Sequence, residues 1–197
     1  NEMANACLNM YKIKKAIFFY KEVLKIKNDE PSAIMGLLQS YMLLGKVSKI
    51  KKYLDELQGL QTRLPKIKLL TEMMKLRMLL VQYRMADAYK HVENALLFFG
   101  ERNNAFLFEK FDIMLQFMNL QASEEILNQL RSNGVKTKEY VISRLKLALK
   151  YKKMEKAISY LRRYKKLVGN DYKYFYFLSA IKNQEGNKTA AINYLLK

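Results

Sequence analysis

Apolar positions along this chain recur at three- and four-residue spacing, the interval that gathers side chains on one face of an α-helix. Six times a small or branched apolar residue is followed four places later by a large one: Ala16/Tyr20, Ile50/Leu54, Ala88/Val92, Ile126/Leu130, Ala157/Leu161 and Ala191/Leu195. Their first members lie 34, 38, 38, 31 and 34 residues apart. A period of this size is the length of one helix, a turn, a second helix and another turn. It predicts an all-α solenoid of stacked antiparallel helix pairs, in which each pair buries its apolar face against its neighbours.

The clearest unit starts at Pro31. Ile34, Leu37, Leu38 and Tyr41 form the apolar face of a first helix, Gly45 stops it, and Val47, Ile50, Tyr53, Leu54 and Leu57 form the face of a second. Near the end of the chain Gly186 precedes Ala191 by five residues, as Gly45 precedes Ile50. The pattern predicts a single repeat array over 1–197, with units near 1–30, 31–64, 69–103, 107–137, 138–169 and 172–197. The two 38-residue gaps call for about one extra helical turn each. The first is expected in the connection around Gly59 and Pro65, the second around Gly100 and Asn103/Asn104, where a helix stops and another starts. Both ends read as cut within a repeat, so the array is expected to be a piece of a longer protein.

These residues resemble the tetratricopeptide repeat. Leu37, Tyr41, Gly45, Ile50, Leu54 and Leu57 fall on that family's pattern, as do Ala88, Val92 and Ala95, then Ala157, Leu161 and Tyr164, and finally Gly186, Ala191 and Leu195. The repeats are degenerate: the turn glycine is replaced by Tyr11, Tyr83, Gln121 and Lys152, and tryptophan is absent. The resemblance implies a right-handed superhelix whose first helices line a concave groove. Its groove positions, carried onto this sequence, hold Met35, Gln39, Met42 and Leu43, then Met73, Met74, Arg77 and Leu80. Next come Phe108, Phe111, Asp112, Leu115 and Met118, then Ile142, Lys146 and Lys150, then Tyr176, Phe177 and Asn183. A strip rich in Met and aromatic side chains suits a partner's amphipathic helix or extended apolar segment; the same residues at helical spacing also suit packed core.

Two recognition modes of helical-repeat proteins are poorly matched. The clamp for acidic chaperone tails needs Lys and Asn at positions that here hold Asn1, Asn5, Gly36, Leu70 and Met74. A pentatricopeptide-type RNA code needs the same polar positions in each repeat, and they differ from unit to unit.

Composition agrees with helices, since the chain has 7 Gly and 2 Pro in 197 residues and half of them are apolar. Charge adds a second feature. Lys and Arg exceed Asp and Glu by 18, and between Lys136 and Lys166 twelve basic residues face two acidic ones. Lys146, Lys150, Lys152, Lys153, Lys156, Arg162, Arg163, Lys165 and Lys166 make up the expected basic surface. Residues 101–130, by contrast, carry a net charge of −3. Such a field attracts an acidic protein segment, a nucleic acid or an anionic membrane surface.

Chemistry has little to build on. The one histidine, His91, reads as an exposed helix position, and the one cysteine, Cys7, as a packed thiol. No metal-ligand spacing or phosphate loop is present, so no enzymatic activity and no cofactor are expected. The single cysteine fits a reducing compartment such as the cytoplasm and is compatible with a bacterial periplasm. The expected function is a non-catalytic scaffold that binds a partner protein in its groove. The other readings are a basic module on nucleic acid or membrane and a self-associating assembly subunit.

Overall fold

The computed structural model describes residues 1–60 and 67–196, which contain twelve α-helices and no strand. The chain forms two compact units, Asn1–Phe99 and Gly100–Lys197. In the first, α1 (Glu2–Asn9) pairs with α2 (Ile13–Ile26), α3 (Pro31–Leu43) with α4 (Val47–Gly59), and α5 (Lys68–Val81) with α6 (Met85–Phe99). In the second, α7 (Asn104–Gln116) pairs with α8 (Leu120–Ser132), α9 (Lys138–Lys150) with α10 (Met154–Val168), and α11 (Tyr172–Gln184) with α12 (Lys188–Leu195).

One turn joins the helices within every pair. Its central residue is left-handed: Tyr11, Gly45, Tyr83, Met118, Lys152 and Gly186 have φ between 55° and 83°. Two hydrogen bonds close it. The N–H of Gly45 reaches the Met42 carbonyl and that of Lys46 reaches the Tyr41 carbonyl, both at 3.0 Å, and the other five turns repeat these offsets. This arrangement satisfies carbonyls that a helix end would otherwise leave bare.

These turns correct the frame read from the pattern. Five residues after each left-handed residue comes a buried small or branched side chain: Ala16, Ile50, Ala88, Ser123, Ala157 and Ala191. In the fourth pair the turn residue is thus Met118 rather than Gln121, and the pair equivalent to those of the other repeats is Ser123/Leu127 rather than Ile126/Leu130, although all four side chains are buried. The spacings become 34, 38, 35, 34 and 34, so the 31-residue gap and the second 38-residue gap disappear. Ser123 escapes an apolar pattern because its hydroxyl reads as polar; in the helix it donates to the Asn119 carbonyl at 2.8 Å and packs as a small residue. Gly100 and Asn103 do separate two helices, with the Asn103 side chain accepting from the Ala105 and Phe106 amides. The insertion expected around Pro65 lies outside the described residues.

Packing between pairs uses the same logic. In the first unit Gly36 of α3 lies against Tyr20 of α2 so closely that a Cβ there would sit 2.1 Å from the ring. Tyr20 is fully buried, and its hydroxyl donates to Asn5 Oδ1 at 2.6 Å, tying α1 to α2. In the second unit Leu145, Ala148, Leu149, Ala157, Leu161, Phe177 and Ile181 form one cluster across α9, α10 and α11. Burial of each large side chain of this kind stabilises the fold by about 1.5–3 kcal/mol.

Candidate functional site

In the second unit, counting back from the left-handed turn residue locates equivalent positions on the three first helices. Positions ten, six, three and two residues before Met118 hold Phe108, Asp112, Leu115 and Gln116; before Lys152 they hold Ile142, Lys146, Leu149 and Lys150; before Gly186 they hold Tyr176, Ala180, Asn183 and Gln184. All of these but Phe108, Ile142 and Asn183 come to one opening. Asp112, Leu115 and Gln116 of α7, Lys146, Leu149 and Lys150 of α9, and Tyr176, Phe177, Ala180 and Gln184 of α11 line an open groove of about 420 Å³.

The groove has an apolar floor and charged walls. Leu115, Leu149 and Phe177 are almost entirely buried and line its floor. Lys146 Nζ bonds Asp112 Oδ1 at 2.7 Å, joining α7 to α9, and Gln184 donates to the Leu149 carbonyl at 3.3 Å, joining α11 to α9. Lys150 is exposed and Tyr176 is 58% exposed, so a cation and a phenol stand free above the apolar floor.

The residues assigned to the groove by resemblance occupy different environments. Ile142 and Phe108 are half-buried, Tyr176 is open, and Leu115 and Phe177 form the floor just described. Phe111 is fully buried in α7, and Met118 is the turn residue beyond that helix's end. In the first unit Met35, Gln39, Met42, Met73 and Arg77 are half-buried on α3 and α5, with Met35 and Met42 packed on the core. Met74 is 2% exposed and belongs to that core. Phe111 and Met74 each lie within a few residues of a groove position, and a helix turns about 100° per residue. A small error of frame therefore exchanges groove for core. Gln116, Leu149, Ala180 and Gln184 escape the sequence reading for the same reason, and the offset from the turn residue finds them.

The basic residues likewise divide among faces. Lys146 and Lys150 face the groove, whereas Lys156 and Arg163 of α10 line a different concavity with Arg131, Lys136, Tyr140, Arg144 and Tyr160. Lys152 occupies its turn, and Arg162, Lys165 and Lys166 are exposed elsewhere on α10. Lys153, at the start of α10, lies 4.4 Å from the Tyr151 ring centre.

His91 differs from the expected exposed position. It is half-buried between α6 and α5, with Nε2 3.0 Å from the Glu72 carbonyl and 3.4 Å from its carboxylate. Cys7 is half-buried against the first unit's core. Among the described residues no cluster of His, Cys, Asp and Glu could hold a metal ion, and no helix is long and apolar enough to cross a membrane.

No family model matches the chain, and no curated protein does. Solved structures share its fold. A thermophilic TPR protein of Thermus thermophilus aligns over 91% of this chain and 96% of its own, with a TM-score of 0.72 and 16% identity. PilW, a widely conserved type IV pilus biogenesis factor, aligns over 98% of this chain and 87% of its own, at TM-score 0.64 and 13% identity. The Cut9–Hcn1 hetero-tetramer of the APC/C provides a third, over 98% of this chain and 38% of that one, at TM-score 0.67 and 15% identity. The chain has the tetratricopeptide-repeat fold: all-helical, in antiparallel pairs, with a repeat turn that recurs in geometry though not in residue type.

Proposed function

We propose that this protein is a non-catalytic interaction scaffold whose second unit holds a segment of a partner protein in the groove across α7, α9 and α11. The observation that carries this reading is the convergence of equivalent positions from three successive first helices on one opening with an apolar floor. A floor of Leu115, Leu149 and Phe177 takes one apolar stripe of an amphipathic helix or extended segment. The free Lys150 ammonium and the Tyr176 hydroxyl select for an acidic or hydrogen-bonding residue beside that stripe. Asp112, neutralised by Lys146, fixes the two helices without repelling an acidic ligand.

The fold supports the same reading in outline. One of the solved structures that share it is a complex, Cut9 with Hcn1, and another is a pilus biogenesis factor.

The test uses surface variants, because core ones would confuse binding with folding. Met74→Glu with Phe111→Glu places two carboxylates at positions 2% and 0% exposed, and helical circular dichroism should be lost. Tyr176→Glu with Lys150→Glu should keep the helical spectrum. Affinity purification with mass spectrometry of bound proteins, run on wild type and on this pair, is expected to show partners that the groove variant loses. A partner set indifferent to the groove variant would sink the proposal.

A further inference from the structure

On α9, residues 140, 144 and 148 lie about 200° around the helix axis from 142, 146 and 150, so the helix presents one face to the groove and the opposite one to α8 and α10. That opposite face floors a concavity of about 480 Å³. A smaller hollow continues it along α10, sharing Glu124, Arg144, Lys156 and Tyr160. The two make one extended cleft.

Its electrostatics are one-sided. The only carboxylate in the lining is Glu124, and Arg144 neutralises it across 3.4 Å. Each nitrogen of the Arg144 guanidinium has a partner, since it also donates to Asn128 Oδ1 at 2.8 Å and to the Tyr140 hydroxyl at 2.9 Å. It is held in place by three partners and adds charge to the floor. Arg131, Lys136, Lys156 and Arg163 surround it with no carboxylate within ion-pairing distance among the described residues. Four unneutralised cations at the rim of one cleft repel each other unless an anion enters.

We infer that this cleft is a second binding site, distinct from the groove, and that it takes an extended acidic segment of a protein. Its continuation past Lys156 to Lys153 makes it longer than a single phosphate group needs. Nucleic acid would call for open aromatic faces on which bases stack. Two of the three tyrosines in the cleft have cations over their rings instead: Arg144 over Tyr140 at 5.4 Å and Lys153 over Tyr151 at 4.4 Å. A flat lipid surface is met by protruding cations, whereas these line a concavity. Carboxylates on a flexible backbone can reach in and pair with each, while the Asn128 side-chain N–H groups and the Tyr160 hydroxyl remain for the peptide's own polar groups.

The experiment measures fluorescence anisotropy of a labelled oligoglutamate peptide with the full chain. Wild type should bind it in a salt-sensitive manner. Lys156→Glu with Arg163→Glu should weaken binding by roughly tenfold or more, while Lys165→Glu with Lys166→Glu, an equal charge change on the same helix outside the cleft, should weaken it far less. Phe18→Ala, an uncharged change on an exposed side chain of the first unit, should leave it unchanged, and loss of partners in the groove variant with peptide binding retained would show that this site and the groove stand or fall separately. The inference is overturned if wild type does not bind the peptide, or if both charge reversals weaken binding equally. It is also overturned if oligouridine or phosphatidylserine vesicles bind more tightly than the peptide with the same dependence on Lys156 and Arg163.

Discussion

At the scale of single residues the repeat turn is where sequence and backbone are least matched. Tyr11, Tyr83, Met118 and Lys152 hold φ near 56° without being glycine, a conformation that costs an L-residue about 1–2 kcal/mol. The turn persists because two hydrogen bonds and the buried side chain five residues on over-determine it. Tyr83 is 89% exposed, so nothing in its packing offsets the strain. Tyr83→Gly should therefore raise stability by roughly 0.5–1 kcal/mol, after allowing for glycine's extra freedom in the unfolded chain. Thermal unfolding followed by circular dichroism checks this, and an unchanged or lower midpoint would contradict it. The sequence pattern finds three of these four residues by offset from a clean unit and passes over Met118, because Ser123 does not read as apolar.

At the scale of elements, Asp171 links two repeats. One carboxylate oxygen caps α11 by accepting from the Tyr174 amide at 2.9 Å, and the other accepts from the Tyr164 hydroxyl of α10 at 2.7 Å. Burial, with that bond and the carboxylate's charge, raises the Tyr164 phenol well above its ordinary 10.0. The sign follows. Folding favours the neutral phenol, so its contribution is complete below about pH 10 and is lost as pH climbs beyond that value. Burial likewise raises Tyr20 and Tyr53, so alkaline unfolding is expected as a general property. Tyr164→Phe should show a shallower fall in stability above pH 10 than wild type; equal slopes in urea titrations at several alkaline pH values would refute the link. That the second Asp171 oxygen reaches Tyr164 depends on how α10 packs against the start of α11.

At the scale of the whole molecule, the excess of 18 basic residues sets the response to salt. Most ion pairs described are between neighbours three or four apart on one helix, such as Lys25–Glu22, Arg84–Asp87 and Lys182–Glu185, and are worth little. Self-repulsion is therefore the larger electrostatic effect, and screening it should help the folded state. Added sodium chloride, from low to physiological ionic strength, is expected to raise the thermal midpoint. A fall would mean that Lys146–Asp112 and Arg144–Glu124, which cross between helices, outweigh the repulsion.

The helical hairpins were legible in the chain itself, because a 3.6-residue periodicity broken by turn residues at fixed offsets is a local property that survives degenerate repeats. Which side of each first helix lines the groove was not. Groove and core differ by about 100° per residue around one helix, so Phe111 and Asp112 exchange roles with a one-residue shift, and only the neighbouring α9 decides between them. The charge excess between Lys136 and Lys166 was equally plain in the sequence. Its division between Lys150 at the groove and Lys156 with Arg163 at the cleft, joined there by Arg131 from α8, arises only when three helices pack, since residues distant along the chain must first be brought to one surface.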